Sequence, residues 1–365
     1  MKQTQVRCRR MRIVYVVGTR PNFVKTAPVI AALRSRLPRG RHTIVHTGQH
    51  YDRAMSAVFF EELGVPAPDR MLEVGSGSHA QQTARTMERL EPVLAEERPD
   101  LVVVPGDVNS TLAAALTAVK MGIPVAHIES GLRSFDRTMP EEVNRIVADQ
   151  FAEHLFLHSE EAVGNLRAEG IPDERMHFVG NTMIDTLVAL EARFREAGAA
   201  AKHGVQPGAF LLVTLHRPAL VDGELLGETV RQLAALAGEM PVVFPVHPRT
   251  RKAMEEIDAE HPGLQLCEPL GYVDFLSLLA DADAVLTDSG GIQEETTYLG
   301  VPCFTLRDNT ERPVTVRAGT NTLLGLDPAA IAGIPAALAD RPAEPLGPPP
   351  LWDGHAAERI ADILA

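Results

Sequence analysis

Short apolar runs, each followed by a helix-length stretch, recur along nearly the whole chain, and that alternation limits the fold more than any other feature. In the first half the runs fall at 13–17, 43–46, 101–104, 124–128, 154–157 and 176–179. Helical stretches lie at 53–63, 80–97, 111–121, 141–151 and 160–169, after a first helix that tolerates Pro21 in its opening turn and runs to Leu37. Strands buried on both faces read as continuous apolar runs, and alternation with helices joins them in parallel. The texture then changes. Residues 193–208 are rich in Ala, Gly and charge and read as a helix end plus linker. A second series of runs follows at 210–214, 241–246, 264–266, 284–287 and 302–305. Residues 341–350 are proline-rich and extended, and 355–364 form a short closing helix. A chain of 365 residues exceeds the usual span of one core. The reading is α/β, with two doubly wound domains facing a cleft. Ligands of such sheets sit at the carboxyl ends of the strands, and domain interfaces are favoured pockets.

The polar residues collect at those strand ends. Leu286-Thr-Asp-Ser-Gly-Gly-Ile-Gln-Glu-Glu295 is the richest stretch: an apolar strand, a tight turn at Asp288-Ser-Gly-Gly291, then a helix. Such a turn leaves free N–H groups at the positive end of a helix dipole, a ready site for phosphate. Glu295 falls one turn into the helix, where a carboxylate can accept from ribose hydroxyls. The same residues also suit an ordinary strand-to-helix turn. Other ends carry Gly18-Thr-Arg20 with Lys25 in the next helix, Gly106-Asp107, Glu129-Ser-Gly131, His216-Arg217 and His247-Pro-Arg249. Glu141 and Arg145 are four apart and so share a helix face, as a catalytic pair or as a solvated salt bridge.

Composition excludes several classes. Lys plus Arg number 35 against 48 Asp plus Glu, a net charge of -13, which disfavours sequence-independent nucleic-acid binding. An anionic ligand must then be met by a local basic cluster. Three scattered cysteines, Cys8, Cys267 and Cys303, argue against disulfides or zinc and for a reducing, cytoplasmic setting. No signal peptide or membrane span is evident. Gly75-Ser-Gly-Ser-His-Ala80 fits a loose dinucleotide fingerprint, yet no acidic residue ends a strand about 20 residues on. His46 and His50 are four apart without a third ligand, so turn histidines are the better reading. No metal and no cofactor are expected.

Taken together the motifs resemble the non-hydrolysing UDP-N-acetylglucosamine 2-epimerases. They are Gly18-Thr-Arg-Pro21 with Lys25, Gly48-Gln-His50, Gly106-Asp107, His127-Ile-Glu-Ser-Gly-Leu-Arg133, Pro140-Glu-Glu-Val-Asn-Arg145, Gly180-Asn-Thr182, Thr214-Leu-His-Arg217, Pro245-Val-His-Pro248, Thr287-Asp-Ser-Gly-Gly-Ile-Gln-Glu-Glu295 and Arg307-Asp-Asn-Thr-Glu-Arg-Pro313. The resemblance implies two Rossmann-like domains of GT-B type. Residues 1–182 form the first, to which the final helix 351–365 returns, and 183–350 form the UDP-binding second. It implies catalytic roles for Asp107, Glu129, Glu141 and His216, supported by Lys25 and Arg145, and substrate contacts at Arg20, His247, Ser289, Gly290, Gly291, Glu295 and Arg312. A homodimer acting on a UDP-sugar is also implied. Two positions depart from the pattern: Asn22 stands where Glu is frequent, and Pro218-Ala-Leu-Val221 replaces an acidic residue and Asn. Some family members bind an activating second UDP-sugar near Gln49 and Arg217, beside that altered run.

The chemistry explains the residue types. The C2 proton of an N-acetylhexosamine is not next to a carbonyl, so direct abstraction gives an unstabilised carbanion. Breaking C1–O first, with UDP leaving, acidifies C2; loss of its proton then gives a glycal. Cations and N–H dipoles must face the diphosphate, and carboxylates must face C2. A hydrolysing epimerase, or a retaining GT-B glycosyltransferase using a UDP-sugar, shares much of this equipment. The strand-end carboxylates of the first domain favour epimerisation.

Overall fold

A computed structural model describes residues 11–48, 62–221, 223, 225–246, 248–254, 257, 261–341 and 347–365. The expected helix at 53–63 and the positions Gln49, His50 and His247 lie largely or wholly outside them. Two compact units emerge, Met1–Thr186 with Leu351–Ala365, and Leu187–Pro350.

The first unit is built on a seven-stranded parallel sheet. Its strands are β1 (Arg12–Val17), β2 (Arg41–His46), β3 (Arg70–Met71), β4 (Leu101–Pro105), β5 (Val125–Ile128), β6 (His154–Leu157) and β7 (Met176–Phe178), in the order β3-β2-β1-β4-β5-β6-β7. All five side chains of β4 are buried, as a continuous apolar run demands. Strand order reverses between β1 and β4, which pair with Ile13 opposite Leu101. Their carboxyl ends, at Gly18 and Gly106, therefore open at the switch point where such sheets bind ligands. Ala114, Ala115 and Ala118 bring the helix Asn109–Lys120 close against the core of Val14, Val16, Val102 and Val104.

The closing helix Ala356–Leu364 lies on the helix Arg20–Arg36 of this same unit. It buries Ala357, Ile360, Ala361 and Leu364. Asp185 fixes its start by accepting from the N–H groups of Ala356 at 3.1 Å and Ala357 at 2.6 Å. Just before it, the buried Trp352 donates its indole N–H to the His158 carbonyl at 2.8 Å.

The second unit holds β8 (Leu211–Thr214), β9 (Val242–Pro245), β10 (Leu264–Cys267), β11 (Ala284–Thr287), β12 (Cys303–Thr305) and β13 (Asn321–Leu323), all parallel, in the order β10-β9-β8-β11-β12-β13. Alternate residues feed separate cores. Leu211, Val213 and Leu286 pack with Leu226, Val230 and Leu233, while Leu212 and Val285 pack with Leu278 and Leu279. Here the reversal lies between β8 and β11, so His216 and Asp288 leave the sheet side by side. Residues 193–208 are not an open linker. They complete the helix Thr182–Ala197 and form the short helix Ala199–Lys202, whose Ala199 and Ala200 enter the core. Among the described residues no helix is long and apolar enough to cross a membrane.

Candidate active site

In the first unit, Asn22 joins the two strand ends. Its Oδ1 accepts from the N–H groups of Gly18 at 3.0 Å and Thr19 at 3.2 Å, and its Nδ2 donates to the Pro105 carbonyl at 3.3 Å. An amide can do both; an ionised carboxylate could not donate. Arg20 opens the helix with an exposed side chain. One turn on, the buried Lys25 places Nζ 2.7 Å from the Glu129 carboxylate. Glu129 follows β5 in the left-handed region, φ 65°, a conformation costing about 1 kcal/mol or more for a residue with a side chain. At Gly106, φ 63°, a Cβ would stand 3.3 Å from Lys25 Nζ, so glycine lets the pair lie against the β4 turn.

Asp107 comes next and is held twice. Its backbone carbonyl accepts from Asn144 Nδ2 at 2.9 Å, and its carboxylate pairs with Arg145. The expected partnership of Glu141 with Arg145 does not form. Arg145 pairs with Glu142 instead. The helix Pro140–Phe151 buries Glu142, Asn144, Arg145 and Ala148, whereas Glu141 lies one position round and half-buried. Glu142 also accepts from the N–H and hydroxyl of Ser134 and the N–H of Phe135, each at 2.9 Å. Two acid–cation pairs thus stand at neighbouring strand ends, Lys25–Glu129 and Arg145–Asp107. Below them, His127 Nε2 donates to the Gly106 carbonyl at 2.7 Å.

In the second unit, His216 Nδ1 lies 2.9 Å from Asp288, leaving an imidazole that is 61% exposed. Asp288 also accepts from the N–H groups of His216 and Arg217. Burial would push its carboxyl up; the hydrogen bond and charge of His216, with those N–H groups, outweigh it and hold the carboxyl below its usual range. Ser289 then caps the helix Gly290–Leu299, and its side chain takes no capping bond. A Cβ on Gly290 would fall 2.3 Å from Arg312 Nη1, so only glycine lets Arg312 pack beneath the turn. Buried Arg312 pairs with Glu294 at 2.7 Å and with Glu311, which in turn holds Arg307 at 2.7 Å. Gly291 is in the first turn of the helix, and Glu295 is buried one turn further on. Burial pushes Glu295 up to about 7, against the hydrogen bond from Tyr272 and helped by the charge of Glu294.

Sequence reading missed Glu142, Asn144, Asp288, Tyr272 and Glu294. Glu142 and Asn144 sit inside a quoted motif, but spacing alone does not choose Glu142 over Glu141. Asp288 looked like a turn residue, and its service to His216 appears only once β8 and β11 are neighbours.

Comparison with known proteins fits this geometry. Residues 34–365 match the family model for UDP-N-acetylglucosamine 2-epimerase. The chain belongs to that family. A UDP-N-acetylglucosamine 2-epimerase of Methanocaldococcus jannaschii is 43% identical over 326 residues, covering 86% of this chain and 88% of the relative. A UDP-2,3-diacetamido-2,3-dideoxy-D-glucuronate 2-epimerase of Pseudomonas aeruginosa is 41% identical over 320 residues, covering 86% and 88%. The crystal structure of the Methanocaldococcus jannaschii enzyme in complex with UDP-GlcNAc and UDP superposes with a TM-score of 0.85 at 39% identity, covering 97% of this chain and 99% of that one. The two Rossmann-like, GT-B-type sheets are thus those of a 2-epimerase family member.

Proposed function

We propose that this chain is a non-hydrolysing 2-epimerase that interconverts UDP-GlcNAc and UDP-ManNAc. The observation that carries the reading is the pair of acid–cation couples at adjoining strand ends of the first unit, Lys25–Glu129 and Arg145–Asp107. The nucleotide groups belong to the second unit. Ser289, Gly290 and Gly291 present helix N–H groups to the diphosphate, Arg312 braces the turn, and Glu295 takes a ribose hydroxyl. Arg20 and the exposed imidazole of His216, oriented by Asp288, meet the charge that develops as UDP departs. His247 is assigned to the nucleotide by resemblance alone.

The C1–O bond breaks first, its electron pair leaving with UDP. A carboxylate among Asp107, Glu129 and Glu141 takes the C2 proton, and the C–H electrons form the glycal double bond. Protonation from the other face and return of UDP to C1 complete epimerisation. Lys25 and Arg145 hold their carboxylates in place, and no cofactor enters the scheme. The Pseudomonas aeruginosa relative supports a second reading for the substrate alone, a diacetamido uronic-acid sugar. With the enzyme reading goes a homodimer in a reducing cytoplasm, drawn from the family resemblance and the scattered cysteines.

Incubation with UDP-GlcNAc alone in deuterated water tests it. Both epimers should carry deuterium at C2 with UDP still attached. Free ManNAc with UDP would mark a hydrolysing enzyme, and retained C2 protons would sink the elimination route. Asp107→Asn should lower turnover by roughly a hundredfold or more while UDP affinity holds.

A further inference from the structure

One buried carboxylate in the second unit is half-satisfied. Glu295 Oε1 accepts from the Tyr272 hydroxyl at 2.7 Å. Its Oε2 is shielded from water and finds no hydrogen-bond partner. A buried acceptor without a donor is costly, and a ligand hydroxyl that supplies the donor removes the deficit. Tyr272 opens the helix Tyr272–Asp281, which packs on the helix Gly290–Leu299. Burial, then the charge and hydrogen bond of Glu295, raise the Tyr272 hydroxyl well above its ordinary value, so it stays protonated and donates.

We propose that Tyr272 is a positioning residue for nucleotide binding, fixing Glu295 so that Oε2 alone faces the ligand. The inference rests on the assignment of Glu295 to the ribose. Its consequence is a proton linkage. Glu295 sits near 7 because burial outweighs the Tyr272 bond. A ribose hydroxyl donates more strongly to the ionised carboxylate at Oε2 than to the neutral acid, so nucleotide binding favours ionisation. Glu294 is paired with Arg312, and burial pushes the Cys303 thiol of the adjoining strand β12 up to about 11.

The test is the affinity of the whole chain for UDP-GlcNAc, whose diphosphate has no proton to lose between pH 6 and 8, measured by calorimetry across that range and on to pH 9. Wild-type protein should bind about tenfold tighter at pH 8 than at pH 6, as expected for one group titrating near 7. Glu295→Gln removes the titrating carboxyl, so that variant should lose this pH dependence. Tyr272→Phe removes a bond that lowers Glu295, so its midpoint should move to higher pH. It should bind several-fold weaker than wild type at pH 7 and recover by pH 9. Recovery is what a merely structural role would not produce. A Tyr272→Phe midpoint equal to wild type, or a loss equal at every pH, overturns the proposal. Wild-type protein that binds the nucleotide sugar with this profile yet never exchanges the C2 proton would overturn the epimerase reading and leave this one standing.

Discussion

Glu142→Gln is the sharpest perturbation of the first unit. Oε2 of Glu142 accepts from the Ser134 N–H and hydroxyl at 2.9 Å and from Arg145, while Oε1 accepts from the Phe135 N–H at 2.9 Å. Glutamine keeps a single acceptor oxygen. With that oxygen on the Arg145 side, the amide NH2 confronts the Phe135 N–H, and a buried donor goes unmet at about 1–3 kcal/mol. Arg145, with its side chain 2% exposed, also loses the charge of a carboxylate partner. Breaking a buried pair costs about 3–5 kcal/mol, and the surviving Asp107 contact trims that figure. A net loss of about 3 kcal/mol should lower Tm by about 6–12 °C in a unit of this size. Glu141→Gln is the contrast. Glu141 is half-buried and makes no ion pair among the described residues, so stability should hold within about 0.5 kcal/mol. Its C2 exchange should nonetheless fall about a hundredfold if it transfers a proton. Calorimetric melts and deuterium wash-in on both variants decide the matter. A wild-type Tm for Glu142→Gln, or a drop for Glu141→Gln, would refute the division between a positioning and a reacting carboxylate.

Phe135 holds φ 60° and is 79% exposed. Phe135→Gly should therefore raise stability by about 0.5–1 kcal/mol, strain relief less the chain entropy of glycine; a lower Tm would mean that the ring is packed. Burial pushes Asp185 from its ordinary 3.8 up to about 6, against the bonds from Ala357 and Ala356. An acid raised in the folded state stabilises below its unfolded value and loses that contribution as pH rises through the folded one. Asp185→Asn should thus flatten the decline in Tm between about pH 4 and 7, a span worth about 2–3 kcal/mol, and an unchanged slope would show that other groups govern it.

The strands legible in the sequence were those whose residues face core on both sides, such as Leu101–Pro105 and Ala284–Thr287, where burial enforces an unbroken apolar run. The two-residue strand Arg70–Met71 and the strand Asn321–Leu323 escaped notice. They sit at sheet edges, each pairs on one side only, and little of either is buried. The site divided along a similar line. Strand-end groups such as Asp107 and His216 could be found because the ends of parallel strands are where chemistry collects. Their partners could not. Glu141 and Glu142 differ by 100° around one helix, and the face that turns inward is polar, so the usual apolar stripe gave no guide.

A chain of net charge -13 is proposed here to take a diphosphate ligand, and the cations assigned to it are themselves paired. Long-range repulsion matters little, since physiological salt screens exposed charges beyond about 8 Å. Within that distance, Lys25 is matched by Glu129, Arg145 by Asp107 and Glu142, Arg312 by Glu294 and Glu311, and His216 by Asp288. Every one of these cations meets at least one carboxylate, so net positive charge is not what the clusters contribute. Each carboxylate instead fixes the geometry of its cation, and geometry set before reaction is what stabilises a developing charge. The proposed non-hydrolysing reaction, in which UDP leaves C1 and returns, gains from this arrangement. Unmatched cations would hold the separated diphosphate more tightly than the intact sugar nucleotide and slow its return. The carboxylates that neutralise Lys25 and Arg145 are themselves those proposed to move the proton.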